Sequence, residues 1–103
     1  SVGDDLMNQT FAIDFDETFS ADPVLWAQFT DLARELGHRV VMVTCRRDTE
    51  DNLDTIMSML AHHECMMPVF CTGLRSKIDF MKEKGIKVDV WIDDDPTTLV
   101  RGH

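Results

Sequence analysis

The sequence predicts an α/β domain of the three-layer Rossmann-like type, in which helices cover both faces of a parallel sheet of about four strands. Three observations support this fold class. Short apolar runs alternate with segments of helical periodicity, and several of these runs end in polar residues. A length of 103 residues suffices for one compact domain and not for two. The βαβαβαβ order implies parallel strands joined by right-handed crossovers.

The first strand and the first helix are marked by their boundaries. Residues 10–18 read T-F-A-I-D-F-D-E-T, an apolar run that leads into Asp14 and Asp16. Asp22 and Pro23 form a typical helix start, with Asp as the N-cap and Pro at the first helical position. Apolar residues then recur at helical spacing before Gly37, namely Leu25, Phe29, Leu32 and Leu36.

The remaining elements continue the alternation. Residues 40–44 form a continuous run that ends in Thr44 and is typical of a strand buried on both faces. A second helix has Leu53, Ile56, Met57 and Leu60 on one face. Residues 68–71 form a short strand, and Ser76 caps a third helix, in which Ile78 and Met81 face inward and which Gly85 ends. The last strand, residues 88–92, leads directly into Asp93, Asp94, Asp95 and Pro96.

Polar residues follow the predicted strands at the points where they end. Because the carboxyl ends of parallel strands meet at one edge, we expect Asp14, Asp16, Thr44, Asp93 and Asp94 to converge there, where ligands bind in open α/β sheets. Asp14 and Asp16 point the same way along a strand, and like charges that close repel unless a shared proton or a cation neutralises them. The pair therefore indicates a functional site.

Four motifs in this order resemble those of the haloacid dehalogenase-like (HAD) phosphohydrolase superfamily. They are D-x-D-x-T at residues 14–18, the strand-ending Thr44, Lys77 at the start of a helix, and the acidic pair Asp93-Asp94. The match spans residues 10 to 97. The resemblance implies a sheet of strand order 3-2-1-4.

What the resemblance implies chemically is phosphomonoester hydrolysis through a covalent aspartyl-phosphate. Asp14 would be the nucleophile and Asp16 the general acid and base. Thr44 and Lys77 would bind the phosphoryl oxygens. Mg²⁺ would be held by Asp14, the backbone carbonyl of Asp16 and the acidic pair. Asp93 would orient Lys77 or a metal-bound water, although either Asp93 or Asp94 fits as the direct ligand and Asp95 is a third candidate.

Two features depart from the family pattern. Glu17 stands where the family often has Gly. Glu is also found at this position in the subgroup of phosphatases that act on the RNA polymerase C-terminal domain. The short connections leave no room for a cap domain, so we expect residues 7–103 to form a single capless catalytic core with an open site. Residues 1–6 are expected to be a cloning remnant or a disordered tail.

Arg46 and Arg47 are candidate substrate-binding residues because they follow Thr44 and because guanidinium groups match phosphate geometry. An equally good interpretation pairs them with the acidic residues of the same loop, Asp48, Glu50 and Asp51. Arg75 is a weaker candidate of the same kind. His62, His63 and Cys65 have zinc-ligand character but lack a second ligand pair, so we expect no zinc site.

The composition of the chain limits the classes of partner and substrate that we expect. A net charge of −9 disfavours bulk nucleic-acid binding, although a nucleotide, a nucleic-acid end or a phosphoprotein remains a possible phosphorylated substrate. No apolar run is long enough to span a membrane, and no secretory segment is recognised. Three cysteines, an odd number, favour reduced thiols and a cytoplasmic location. The oligomeric state is open.

Two alternatives accompany the phosphatase hypothesis. The chain would instead be a non-catalytic, metal-binding interaction module of the same fold, because a cap or flap that excludes water is missing. A response-regulator receiver domain uses similar residues, but its acidic pair follows the first strand and its phosphorylated Asp the third. Here the D-x-D motif comes first and the acidic pair last, which disfavours the receiver interpretation.

Overall fold

The computed structural model describes residues 8–101, so the expectation for residues 1–6 lies outside the described part of the chain. Four parallel strands form one sheet of order β3-β2-β1-β4, with β1 at Thr10–Ile13, β2 at Arg39–Thr44, β3 at Val69–Cys71 and β4 at Val90–Ile92. The predicted α/β class and strand order are confirmed. Strands β3 and β4 are each shorter than the apolar run that predicted them.

Four helices connect or follow the strands: α1 at Pro23–Glu35, α2 at Glu50–His62, α3 at Lys77–Glu83 and α4 at Thr97–Val100. The caps of the first three helices are side-chain oxygens. Asp22 Oδ1 accepts a hydrogen bond from Leu25 N at 3.2 Å, and Ser76 Oγ accepts one from Asp79 N at 3.1 Å, as their sequence positions predict. Thr49 caps α2 in the same way. No helix in residues 8–101 has the length and apolar character needed to cross a bilayer.

The sheet separates two apolar cores, which makes the domain three-layered. Side chains of β1 and β2 that include Ile13 and Met42 pack with α1 and α2 on one face. On the other face, Val41 and Val43 pack with Met81 of α3. The alternation of faces along β2 explains why its whole apolar run is buried.

Helix α1 contacts the core through a set of residues that shares Phe29 with the apolar stripe that predicted the helix but not the three leucines of that stripe. Thr30 and Ala33 are buried, and Trp26 and Phe29 pack at the edge of the core. Leu25, Leu32 and Leu36 are 51%, 56% and 65% exposed. Because both stripes have helical spacing, the periodicity predicted the helix correctly but not the face that it buries.

Candidate functional site

Three polar residues lie together at the carboxyl edge of the sheet, as the strand order requires. Asp14 follows β1, and its backbone N–H donates to Ile92 O at 2.9 Å, which extends the pairing of β1 with β4. Thr44 is the last residue of β2, and Asp93 follows β4. Asp14 is 7% exposed and Thr44 is fully buried. The sheet therefore holds these side chains in fixed positions.

Lys77 joins two of the carboxylates. It is the first residue of α3 and is 1% exposed, and its Nζ donates to Asp14 Oδ1 at 3.0 Å and to Asp93 Oδ2 at 2.5 Å. Burial alone would lower the pKa of Lys77, but the hydrogen bond to Asp93 and the charge of Asp14 outweigh it, so the pKa is raised. The two carboxylates therefore favour the protonated, cationic form of Lys77 within the site.

Asp14 is nevertheless an electrostatically unsatisfied carboxylate. Burial raises its pKa to about 7, although Lys77 acts in the opposite direction, and the charge of Asp93 raises it further. A second cation beside Asp14 would offset the cost of the buried negative charge. The site therefore has the electrostatic character of a cation-binding position.

Carboxylate oxygens of Asp14, Asp93 and Asp94 all lie within 4.8 Å of one another, a grouping that suits a metal ion. An all-oxygen donor set of this charge fits a hard divalent cation such as Mg²⁺ better than a soft one. Thr18 Oγ1 donates to Asp94 Oδ1 at 3.2 Å and so orients this carboxylate. Burial raises the pKa of Asp94, but side-chain hydrogen bonds with Asp14, Thr18 and Glu17 outweigh that effect and lower it.

Both carboxylate oxygens of Asp93 accept hydrogen bonds. Its Oδ1 accepts a hydrogen bond from Asp95 N at 2.9 Å, while Oδ2 accepts one from Lys77 and a longer one from Thr98 Oγ1 at 3.4 Å. Asp95 Oδ1 accepts a hydrogen bond from Thr97 N at 3.2 Å, an Asx-type turn that leads into α4. Asp93 and Asp95 thus both have clear structural roles.

The chain turns sharply between Asp14 and Ser20. Phe19 N donates to Asp14 O at 3.1 Å, and the buried side chains of Phe15 and Phe19 anchor the turn. Glu17 has φ 61°, in the left-handed region, and its N–H donates to Ser20 Oγ at 3.0 Å. Glycine adopts this conformation without strain, whereas a residue with a Cβ such as Glu17 adopts it at an energetic cost.

Asp16 does not join the Asp14 group but is paired with Arg46. Arg46 Nη2 donates to Asp16 Oδ1 at 2.7 Å, and Arg46 Nε donates to Asp16 Oδ2 at 2.9 Å. The hydrogen bond and charge of Asp16 raise the pKa of Arg46. Sequence reasoning offered the acidic residues of the arginine's own loop as partners. The actual partner lies 30 positions away along the chain.

The two other arginines that were candidate substrate contacts, Arg47 and Arg75, lie away from the cleft. Arg47 is exposed, and its carbonyl accepts a hydrogen bond from Asn52 Nδ2 at 2.9 Å. Arg75 forms an ion pair with Glu83, and its guanidinium lies over the ring of Phe80. Neither side chain lines the cleft at the sheet edge within the described part of the chain.

A small cleft of about 140 Å³ opens at this edge, and several residues that sequence reasoning did not assign to the site contribute to its wall. Glu17, Cys45 and Thr98 are the additional wall residues. The pKa of the Cys45 thiol is raised, chiefly by burial. Cys45 was identifiable as the neighbour of Thr44, whereas Thr98 carried no signal because its position depends on the turn after Pro96. Thr44 is not among the residues that line the cleft, and its Oγ1 accepts a hydrogen bond from Arg46 N at 3.2 Å.

No second metal-suited group is formed by the described residues, and Cys65 of the zinc alternative is buried in the core. Comparison with known proteins found no matching family model, no matching curated protein and no matching solved structure. The site's own chemistry is therefore what distinguishes one function from another.

Proposed function

We propose that the protein is a Mg²⁺-dependent phosphomonoester hydrolase of the capless HAD type, which acts through a covalent phosphate ester of Asp14. The observation that carries this proposal is the buried Asp14, bonded to Lys77 at 3.0 Å and grouped with Asp93 and Asp94 within 4.8 Å. A nucleophile, a fixed cation and a set of metal ligands at one sheet edge are the components that phosphoryl transfer requires.

Asp14, Asp94 and the backbone carbonyl of Asp16 would hold the cation. Asp94 suits direct contact better than Asp93, because both Asp93 oxygens already accept hydrogen bonds. When bound, Mg²⁺ would neutralise part of the carboxylate charge and stabilise negative charge on the phosphoryl oxygens. Asp93 is better suited to positioning Lys77.

In the first step, a carboxylate oxygen of Asp14 attacks phosphorus, and the bond between phosphorus and the leaving oxygen breaks. Asp16 donates a proton to that oxygen, so the alcohol departs neutral. Lys77 and the hydroxyl of Thr44 stabilise the charge on the remaining phosphoryl oxygens. The product of this step is the aspartyl-phosphate.

In the second step, Asp16 removes a proton from water, and the water oxygen attacks phosphorus. The bond between phosphorus and Asp14 breaks, which releases inorganic phosphate and restores both carboxyl groups to their initial states. Lys77 remains hydrogen-bonded to Asp14 and so favours its departure as a carboxylate.

The substrate class we propose is a phosphomonoester whose leaving group extends out of the cleft, such as a nucleotide, a nucleic-acid end or a phosphoprotein. The small volume of the cleft supports this choice, because about 140 Å³ holds a phosphoryl group and little more. We also propose a cytoplasmic location, which suits the three free cysteines.

A non-catalytic metal-binding module is the second candidate, and the pairing of Asp16 favours it. The carboxylate that should act as the proton donor instead accepts two hydrogen bonds from the Arg46 guanidinium, at 2.7 Å and 2.9 Å, and is engaged in an ion pair. In such a module the Asp14 group would bind a cation without transferring phosphate.

Phosphate release from an aryl phosphate separates the two candidates. We would compare the wild type with Mg²⁺, the wild type with EDTA, and Asp14→Asn with Mg²⁺. Asp54→Asn is the matched control, because it removes one negative charge from an exposed position on α2.

The enzyme proposal expects release with Mg²⁺ from the wild type and Asp54→Asn, and loss of at least about a hundredfold in the other two samples. Equal release from the wild type and Asp14→Asn would refute it. Mg²⁺ binding without release would favour the non-catalytic module. A panel of phosphomonoesters would then identify the leaving group.

A further inference from the structure

The pair formed by Asp16 and Arg46 has the geometry of an occupied anion-binding site. Two parallel N–H groups of the guanidinium meet the two carboxylate oxygens at 2.7 Å and 2.9 Å. The same fork matches two oxygens of a phosphate group. The two side chains are 29% and 44% exposed, so an anion from solvent has access to them.

Arg46 is fixed by contacts that do not depend on Asp16. Its Nη1 donates to Asn52 Oδ1 at 3.3 Å, and its guanidinium lies 5.2 Å from the centre of the Phe15 ring. Its backbone is held as well, by Thr44 Oγ1 at 3.2 Å and by Gly73 N at 3.2 Å. The fork would therefore keep its position after Asp16 moved away.

Asp16 is attached less firmly. Within residues 8–101, its carboxylate has hydrogen bonds to Arg46 and to no other side chain. It precedes Glu17, whose left-handed conformation shows that the turn there is not a regular helix. Rotation of the Asp16 side chain would therefore break one ion pair and leave the rest of the site intact.

The cleft has little cationic character to offer an incoming phosphate. Lys77 is a lining cation but already donates to Asp14 and Asp93. Asp94, Glu17 and Asp95 line the same space and would repel a dianion. Arg46 lies behind Asp16, which lines the cleft and accepts hydrogen bonds from the guanidinium. An anion in the cleft would therefore contact Arg46 by taking the position that the Asp16 carboxylate now occupies.

We propose that Asp16 is the resident anion of a phosphate-binding site formed by Arg46, and that a phosphate group of the ligand displaces it. The exchange replaces one bidentate ion pair with another, so Arg46 keeps a partner throughout. The inference rests on the proposed function in one respect, because the carboxylate that phosphate displaces is the same Asp16 group that the phosphatase reaction requires as its proton donor. The resting protein would hold the Asp16 carboxylate in an ion pair, and displacement by phosphate would free this carboxylate to take up a proton from solvent and then serve as the proton donor.

Binding of inorganic phosphate tests the exchange without any requirement for hydrolysis. We would titrate phosphate calorimetrically into the wild type, Asp16→Asn, Arg46→Gln and the double variant, in EDTA at constant ionic strength. Glu17→Gln is the matched control, because it removes a carboxylate from the neighbouring wall position, which has no arginine partner.

If Asp16 competes with phosphate for Arg46, Asp16→Asn binds phosphate at least about tenfold more tightly than the wild type. Glu17→Gln improves binding about twofold, through the general loss of negative charge. In the Arg46→Gln background the effect of Asp16→Asn falls to that same small value, since the site for which Asp16 competed is gone.

Three results would overturn the proposal: a gain in Asp16→Asn no larger than in Glu17→Gln, a tenfold gain that persists without Arg46, or no phosphate binding by any variant. Each result is independent of turnover. Aryl phosphate hydrolysis with no gain in Asp16→Asn would reject the exchange and leave the phosphatase proposal standing. The expected binding pattern without hydrolysis would support the exchange and reject the phosphatase proposal.

Discussion

Replacing Asp14 by Asn tests whether the site is built around a carboxylate that the fold holds at an energetic cost. The substitution keeps the size and shape of the side chain and removes its charge. The pKa of Asp14 is raised to about 7 from an ordinary value of 3.8, mainly by burial. The folded protein therefore binds a proton at this position more tightly than the unfolded chain does.

The sign and size of the effect follow from this difference. Well below pH 3.8 Asp14 is protonated in both states, and between pH 3.8 and about pH 7 it is mostly ionised in the unfolded chain but still mostly protonated in the folded protein. The stability of the wild type should therefore fall as the pH rises through this interval. A rise of the Asp14 pKa from 3.8 to about 7 corresponds to on the order of 4 kcal/mol. Asp14→Asn lacks this contribution, so its stability relative to the wild type should rise by up to that amount.

Urea unfolding at a series of pH values in EDTA, followed by the fluorescence of Trp26 and Trp91, measures this difference. Asp14→Asn also removes one hydrogen-bond partner of Lys77, which changes the free energy of unfolding by a constant amount. This amount does not affect the test, because the test measures how the difference in free energy between the two proteins changes with pH. Asp54→Asn should follow the wild type throughout. Parallel curves for the wild type and Asp14→Asn between pH 4 and pH 8 would refute the reasoning.

Three further substitutions address the supports of the site. Lys77→Met should lower the free energy of unfolding by about 3–5 kcal/mol, because two buried carboxylates lose their cation. Urea unfolding at pH 7.5 measures this change, and a loss below about 1 kcal/mol would contradict the prediction. Thr18→Val should weaken Mg²⁺ binding at least about tenfold in calorimetric titration, because Asp94 loses the donor that orients it; unchanged affinity would exclude that role. Glu17→Gly should stabilise the metal-free protein by about 1 kcal/mol, because φ 61° suits glycine, whereas Glu17→Ala should bring no such gain in thermal unfolding.

The sequence predicted the parts of the fold that depend on local signals. The caps at Asp22 and Ser76 lie where their side chains and the following residues place them. The buried run of β2 was recognisable because a central strand has no solvent face. The sheet edge that collects Asp14, Thr44 and Asp93 followed from strand direction alone.

Features that depend on distant packing were beyond sequence reasoning. The face that α1 buries is decided by its packing against the sheet, which places Thr30 and Ala33 inside and leaves Leu32 56% exposed. The partner of Arg46 is set by side-chain directions in two separate loops, and the nearer acidic residues gave no reason to choose Asp16. Local pattern therefore located the site, and tertiary contacts decided which charges meet within it.

The sheet order also has a consequence for synthesis of the chain. Of the four strands of this sheet, β1 comes first along the chain and lies between β2 and β4, and β4 comes last. Until residues 90–92 leave the ribosome, one edge of β1 lacks its neighbour, and the donor at Asp14 N lacks Ile92 O. A chain that stops before β4 would present an open strand edge beside the candidate nucleophile, so premature termination should yield an aggregation-prone fragment and no partially active domain.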